Sequence, residues 1–292
     1  LSYDHMAVLG DTLSQIAFEK AGIIKPGRPV VSSPQKDEAL KVVERIAQER
    51  GSHLTIVGKD TLFAANAHSL SGQSLFVWPA SEQAMVDEFI ESGGQSEWEP
   101  QRLTIPLLGY HQVENAATAY TALQIIREEG FAISEREIRR GFERVNWEGR
   151  FEILQRIPPI IIDSAHNRDS ALKLRLTLDD YLAGQPVILI FGASEDKDVQ
   201  GMFAELLPRV KKVIATQSIH PRALDANRLV EIAHSFGVPA KVVLPLEEAL
   251  HTAIAEADGE AIILATGSIF IAAAIRETWK QLNEPELIRA LK

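Results

Sequence analysis

The chain has 292 residues, 46% hydrophobic and 24% charged, with a formal net charge of −10 at pH 7; this length suits two cores better than one. No apolar run approaches the about 20 residues that span a bilayer, and no basic segment leads into an apolar one as in a secretory signal. Cysteine is absent, which excludes disulfides, thiolate metal sites and cysteine nucleophiles, and the acidic balance argues against general nucleic-acid binding, which wants a basic face.

Thr12-Leu13-Ser14-Gln15 has capping-box spacing, so a helix opens there and closes near Gly22. Arg28 to Ser32 reads as a strand, Pro34 to Arg50 as an amphipathic helix stopped by Gly51, and His53 to Val57 as a second strand. That alternation predicts a parallel α/β sheet. Between 59 and 109 short apolar runs (Leu62-Phe63-Ala64, Leu75-Phe76-Val77-Trp78, Leu103-Thr104-Ile105) are separated by Gly, Ser, Asn and Pro, which predicts small antiparallel strands. An Ala-rich helix follows from His111 to Glu129, and Ser134-Glu135-Arg136-Glu137 caps another.

The pattern restarts near Asn146-Trp147, which we take as the domain boundary. Apolar strand candidates follow at Ile160 to Ile162, Val187 to Phe191, Lys212 to Ala215 and Ala261 to Ala265, with a fifth at Lys241 to Leu244. Helical stretches such as Asp225 to Phe236 and Leu246 to Ala257 separate them. Strands apolar on both faces and alternating with helices predict a doubly wound, mostly parallel sheet.

Several stretches carry chemistry. Lys20 lies among Ile16, Ala17, Phe18, Ala21, Ile23 and Ile24; burial there would lower the amine's pKa and make it nucleophilic towards carbon dioxide, whereas a lysine at a helix edge more often snorkels to water. Gly109-Tyr110-His111-Gln112-Val113-Glu114-Asn115-Ala116-Ala117 opens a helix, where free N–H groups suit an anion and an Asn amide can match an adenine edge. Ile161-Ile162-Asp163-Ser164-Ala165-His166-Asn167 is a strand running into a helix start, a corner that binds ligands at a sheet's carboxyl edge. There Asp163 can accept from ribose hydroxyls and His166 can meet a phosphate, while Arg150 in Trp147-Glu148-Gly149-Arg150-Phe151-Glu152 suits a γ-phosphate. Taken singly, each stretch could be no more than a cap, a core helix or a surface cation. No phosphate loop is present: Gly58-Lys59 is followed by Asp60, not Ser or Thr, and His53 stands where the leading glycine belongs. A Gly-x-Gly-x-x-Gly fingerprint is also absent.

Together with Asp4-His5, Leu9-Gly10-Asp11-Thr12 and Glu19-Lys20-Ala21-Gly22-Ile23-Ile24-Lys25-Pro26-Gly27, these stretches resemble, in order, the motifs of the Mur ligase superfamily, most closely folylpolyglutamate and dihydrofolate synthases. The resemblance covers essentially the whole chain, with Ser164 in place of a usual glycine. Weaker matches are Phe191-Gly192 with Asp196-Lys197-Asp198, His220-Pro221-Arg222-Ala223, and Thr266-Gly267-Ser268, where Ser268 could contact the incoming amino acid.

The resemblance implies an α/β fold: residues 1–146 as the downstream part of a P-loop-type ATPase domain with a small antiparallel sheet, and 147–292 as a Rossmann-like, doubly wound glutamate ligase domain. It implies that His5 helps hold a magnesium ion, that Lys20 becomes a carbamate orienting that metal, and that Asn115, Arg150, Asp163 and His166 serve ATP, with His166 also catalytic. The implied reaction joins L-glutamate to a folate or to dihydropteroate through an acyl phosphate, in a cytoplasmic monomer with small-molecule partners and neither nucleic acid nor membrane. On this expectation the phosphate loop lies upstream and the 292 residues alone are inactive. Alternatives are another ligase of the superfamily, acting on a cell-wall or poly-amino-acid substrate, and a non-catalytic module that binds small anions or a partner protein.

Overall fold

The computed structural model describes residue 1 and residues 9–283. They form two compact units, Leu1–Asn146 and Trp147–Lys292.

In the first unit, α1 (Leu13–Ala21) opens as its sequence requires: Thr12 Oγ1 accepts from Gln15 N, and Gln15 Oε1 accepts in return from Thr12 N. Strands β1 (Val30–Ser32) and β2 (Leu54–Ile56) pair in parallel, joined by α2 (Asp37–Glu49). Ala21, Ile24, Ile46 and Ala47 bury themselves together against the flank of this pair. Strands β3 (Thr61–Ser69), β4 (Gly72–Pro79) and β5 (Gln101–Ile105) make an antiparallel sheet in that order. Between β4 and β5 lies α3 (Gln83–Glu91), a helix that the turn-rich composition of this stretch conceals. The long helix α4 (Tyr110–Glu128) lays Val113, Ala116 and Ala117 on Leu75, Val77, Leu103 and Ile105. Small residues on that stripe let helix and sheet approach closely. Helix α5 (Glu135–Arg144) carries the expected capping box, with Ser134 N donating to Glu137 Oε2 at 2.8 Å. Those bonds from Ser134 hold the Glu137 carboxyl below its ordinary range.

The second unit is a six-stranded sheet in the order β10-β9-β8-β11-β7-β6. Its strands are β6 (Glu152–Arg156), β7 (Pro159–Ile162), β8 (Val187–Phe191), β9 (Val210–Ala215), β10 (Ala240–Val242) and β11 (Ile262–Thr266). All neighbours run parallel except β6, which pairs antiparallel with β7. The intervening helices are α6 (Arg168–Tyr181), α7 (Val199–Leu206), α8 (Ala226–Ser235), α9 (Leu246–Ala257) and α10 (Ile269–Leu282).

Burial on both faces explains the uniformly apolar strands. Ile160, Ile162, Ile188, Ile190 and Ile263 pack with Ala249, Leu250 and Ala253 of α9 and with Ile271 and Ile275 of α10. By strand alternation Leu189 and Phe191 point the other way, and Phe191 meets Phe203 of α7 with ring centroids 4.7 Å apart. Full burial of one such side chain contributes about 1.5–3 kcal/mol. The expected strand over Lys241 to Leu244 is displaced and short, Ala240–Val242, because Leu244 leads directly into α9 through Pro245.

Candidate active site

In the first unit the expected groups fare differently. His5 lies outside the described residues. Lys20 is exposed, which fits the snorkelling reading of its apolar surroundings and not the buried one. By helical angle it shares the stripe of Leu13, Ile16 and Ala17, but it stands in the last turn of α1, where the aliphatic stem carries the ammonium to water and to the negative end of the helix dipole. Its apolar neighbours Phe18 and Ile23 are exposed as well. Among the described residues no group of three His, Asp or Glu could hold a metal ion.

Asn115 is exposed in the second turn of α4, and its Nδ2 donates to Gln112 Oε1 at 3.0 Å. The start of that helix is held from the sheet by a residue the sequence reading missed: buried Gln73 of β4 donates through Nε2 to Leu107 O at 2.7 Å and Gly109 O at 2.9 Å.

The second unit brings Arg150, Asp163 and His166 to the carboxyl edge of its sheet. The turn before β6 is bent back by left-handed residues, Gly149 at φ +70° and Phe151 at φ +43°. Leaving glycine aside, a residue in this region costs about 1–3 kcal/mol and persists only where its surroundings over-determine it. They do so here. Gly149 N donates to Glu152 Oε2 at 2.7 Å. Gly149 O accepts from Ser164 N and Ser164 Oγ, both at 2.9 Å. Phe151 N donates to Asp163 Oδ2 at 2.8 Å. Ser164, the departure from the family's glycine, therefore adds a buried bond to the turn without needing glycine's conformational freedom.

Asp163 Oδ1 accepts from Ala165 N at 2.8 Å, so this carboxylate ties both sides of the corner. Burial pushes its pKa up from 3.8 to about 6, against the opposing pull of the Phe151 and Ala165 N–H bonds and of the charges on Arg150 and His166. His166 Nδ1 lies 3.0 Å from Ser164 O; a carbonyl only accepts, so Nδ1 carries the proton. Asn167 caps α6, its Oδ1 accepting from Ser170 N at 2.9 Å. Arg150 is exposed, with no hydrogen bond or ion pair among the described residues.

The weaker motifs converge on the same edge. Glu195 N donates to Arg222 O at 2.9 Å and Leu224 N to Ala193 O at 2.8 Å, which fuses the loops after β8 and β9. The His220 ring stacks on Phe270 with centroids 4.7 Å apart. Gly267 N donates to Ala165 O at 3.1 Å, and Ser268 caps α10 by accepting from Ile271 N. Gly267 sits at φ +104°, where an added Cβ would meet Gly192 O at 2.6 Å. Gly267→Ala is expected to cost about 2 kcal/mol, read as a lower denaturant midpoint with unchanged slope.

One further residue was illegible in sequence. Arg276 of α10 donates through Nε to Glu152 Oε1 at 2.8 Å and through Nη2 to Glu148 Oε1 at 2.6 Å. Glu152 stood at the end of a motif, but Arg276 is 124 residues away and carries no local signal.

Comparison with known proteins gives this edge a family. Residues 149–269 match the family described as Mur ligase, glutamate ligase domain. A dihydrofolate synthase/folylpolyglutamate synthase of Bacillus subtilis is 28% identical over 285 residues, covering 96% of this chain and 61% of that protein. A probable bifunctional folylpolyglutamate synthase/dihydropteroate synthase of Haloferax volcanii is 30% identical over 100% of this chain and 33% of its own length. Among solved structures, E. coli FolC in complex with DHPP and ADP superposes with a TM-score of 0.78 at 26% identity, over 97% of this chain and 61% of that one. The chain thus spans under two thirds of the relatives it matches. Residues 149–269 therefore carry a Mur ligase glutamate ligase domain, and nearly the whole chain is homologous to folylpolyglutamate and dihydrofolate synthases.

Proposed function

We propose that the protein containing this chain is an ATP-dependent ligase that joins L-glutamate to a folate, to dihydropteroate, or to both. The observation that carries this reading is the shared placement of Arg150, Asp163 and His166 on the carboxyl edge of a glutamate ligase domain. The nucleotide follows from the ADP bound to the related E. coli FolC. On this reading residues 1–146 are the downstream part of the nucleotide-binding domain and Asn115 faces adenine, its amide offering donor and acceptor together.

The chemistry asks the protein for position and charge. The folate carboxylate attacks the γ-phosphorus and ADP leaves; the glutamate amine then attacks the acyl carbon, phosphate leaves with the C–O bond electrons, and the proton lost from the amine nitrogen passes to the departing phosphate or to water. Arg150 is an exposed guanidinium held between pinned neighbours, suited to meet the charge that spreads over the transferred phosphoryl oxygens. Asp163 keeps lone pairs for ribose hydroxyls beyond those used by the N–H groups of Phe151 and Ala165. The bond of His166 Nδ1 to Ser164 O fixes the orientation of the ring at the corner. The N-termini of α6 and α10 add positive dipole ends on the same edge.

Magnesium, which favours oxygen donors, would accompany the ATP phosphates. The resemblance implies His5 as its holder and a Lys20 carbamate that orients it; an imidazole suits an oxygen-seeking ion poorly, and among the described residues no group of three His, Asp or Glu could hold one. No step is therefore derived through the metal.

The test is phosphate release by the whole protein with ATP and L-glutamate, comparing dihydropteroate and tetrahydrofolate side by side. Release that depends on glutamate and on at least one pterin is expected. Release that depends on neither overturns the reading.

A further inference from the structure

The turn that presents Arg150 does not hold itself. Its flanking residues both sit at positive φ, at +70° and +43°, and the turn is fixed from outside itself, by Ser164 N on Gly149 O and by side chains. One of those is Glu152, whose two oxygens do different work: Oε2 accepts from Gly149 N at 2.7 Å while Oε1 accepts from Arg276 Nε at 2.8 Å. The same guanidinium reaches past Glu152 to Glu148 Oε1 at 2.6 Å, so that it brackets the turn from before and behind. The Arg276 side chain is 19% exposed and that of Glu152 is 23% exposed. The pair is thus shielded enough from water for a planar, forked cation to set the geometry. The Glu152 bond, together with the charges of both glutamates, also raises the Arg276 pKa, so the group stays charged at any working pH.

Arg276 belongs to α10, whose other end is capped by Ser268, next to the Gly267 N–H that bonds Ala165 O. One helix therefore fixes both the corner carrying His166 and, two turns later, the turn carrying Arg150. We propose that Arg276 is a positioning residue for Arg150: through Glu152 and Glu148 it locks the Gly149–Phe151 turn and so aims a guanidinium it does not touch. This rests on the reading of Arg150 as a phosphate contact.

The experiment is a double-mutant cycle in the whole protein, with Arg150→Ala, Arg276→Met and both together, read as kcat and KM for ATP. Arg276→Lys is a fourth variant, since one ammonium cannot bracket both glutamates. Arg276→Met is expected to lower kcat/KM for ATP about 10-fold, and Arg276→Lys by less. In the Arg150→Ala background Arg276→Met should cost under about 2-fold, because there is no longer a guanidinium to aim. Melting temperatures measured alongside separate this from loss of fold, since a purely structural residue would add its effect equally in both backgrounds. Equal costs in the two backgrounds overturn the proposal while leaving the role of Arg150 intact. An Arg150→Ala variant with undiminished kcat/KM for ATP overturns that role, and this inference with it.

Discussion

Arg150→Ala is expected to lower kcat/KM for ATP in the whole protein by about 100- to 1,000-fold while leaving its unfolding free energy within about 0.5 kcal/mol. The two halves of this expectation come from the same fact. Arg150 is exposed and makes no hydrogen bond or ion pair among the described residues, so truncating it removes only the pull of its charge on the Asp163 carboxyl. A cation placed beside Phe151, a residue in a costly backbone conformation, and making no hydrogen bond in the unit, is positioned for something else. On the proposed function that partner is the transferred phosphoryl group: charge spreads over its equatorial oxygens as it moves, and a guanidinium already in place gains most in the transition state. Arg150→Lys should recover only part of the rate, because the ammonium keeps the charge but lacks the planar fork that matches two phosphate oxygens. A variant whose melting falls while its kinetics hold would identify Arg150 as a structural residue.

The parts of the fold that were legible are those whose cause is local. Val187–Phe191 is apolar throughout, and Ile262–Thr266 is apolar up to its last residue, because both faces of the sheet are covered, and the Thr12 and Ser134 capping boxes are written in residues three apart. The edge strand Glu152–Arg156 escaped notice because it has water beside it, no apolar run, and takes its pairing from the neighbouring β7. Helix Gln83–Glu91 was hidden for the related reason that only Val86 is buried along it.

At the site, Asp163, Ser164 and His166 were visible as a strand-to-helix corner because they are contiguous. The restraints that shape the corner were not. Arg276 and Gln73 act across long separations in sequence, and a residue's distant hydrogen bond leaves no trace in its neighbours. Lys20 shows the opposite ambiguity: apolar neighbours in sequence left burial open, yet at the last turn of a helix a long side chain can leave the stripe its Cα occupies.

Unfolding and nucleotide binding are expected to respond to pH in opposite senses through Asp163. Its carboxyl titrates at about 6 when folded, against 3.8 ordinarily. The folded state therefore holds the proton more tightly, and between these values it binds more protons than the unfolded chain. Stability from this group is then fully present below about pH 4 and is lost as pH rises through about 6, a decline of about 3 kcal/mol. Other carboxylates contribute their own slopes, so the quantity to measure is the difference between the wild type and Asp163→Asn in urea unfolding across pH 4 to 8. At pH 4 the folded wild-type carboxyl is protonated and, like the amide, offers the N–H groups of Phe151 and Ala165 one carbonyl acceptor. The variant should therefore lie closest to its neutral wild-type counterpart at pH 4 and gain on it by up to about 3 kcal/mol as the pH rises, because only the wild type loses stability through this group. Binding runs the other way: ribose hydroxyls donate best to the ionised form, so ADP affinity of the whole protein should rise through the same interval in wild type and stay flat in Asp163→Asn. A variant that keeps the wild-type slope in unfolding would show that the proton resides elsewhere. One that keeps it only in binding would remove Asp163 from the nucleotide site while leaving it as the clasp of the corner.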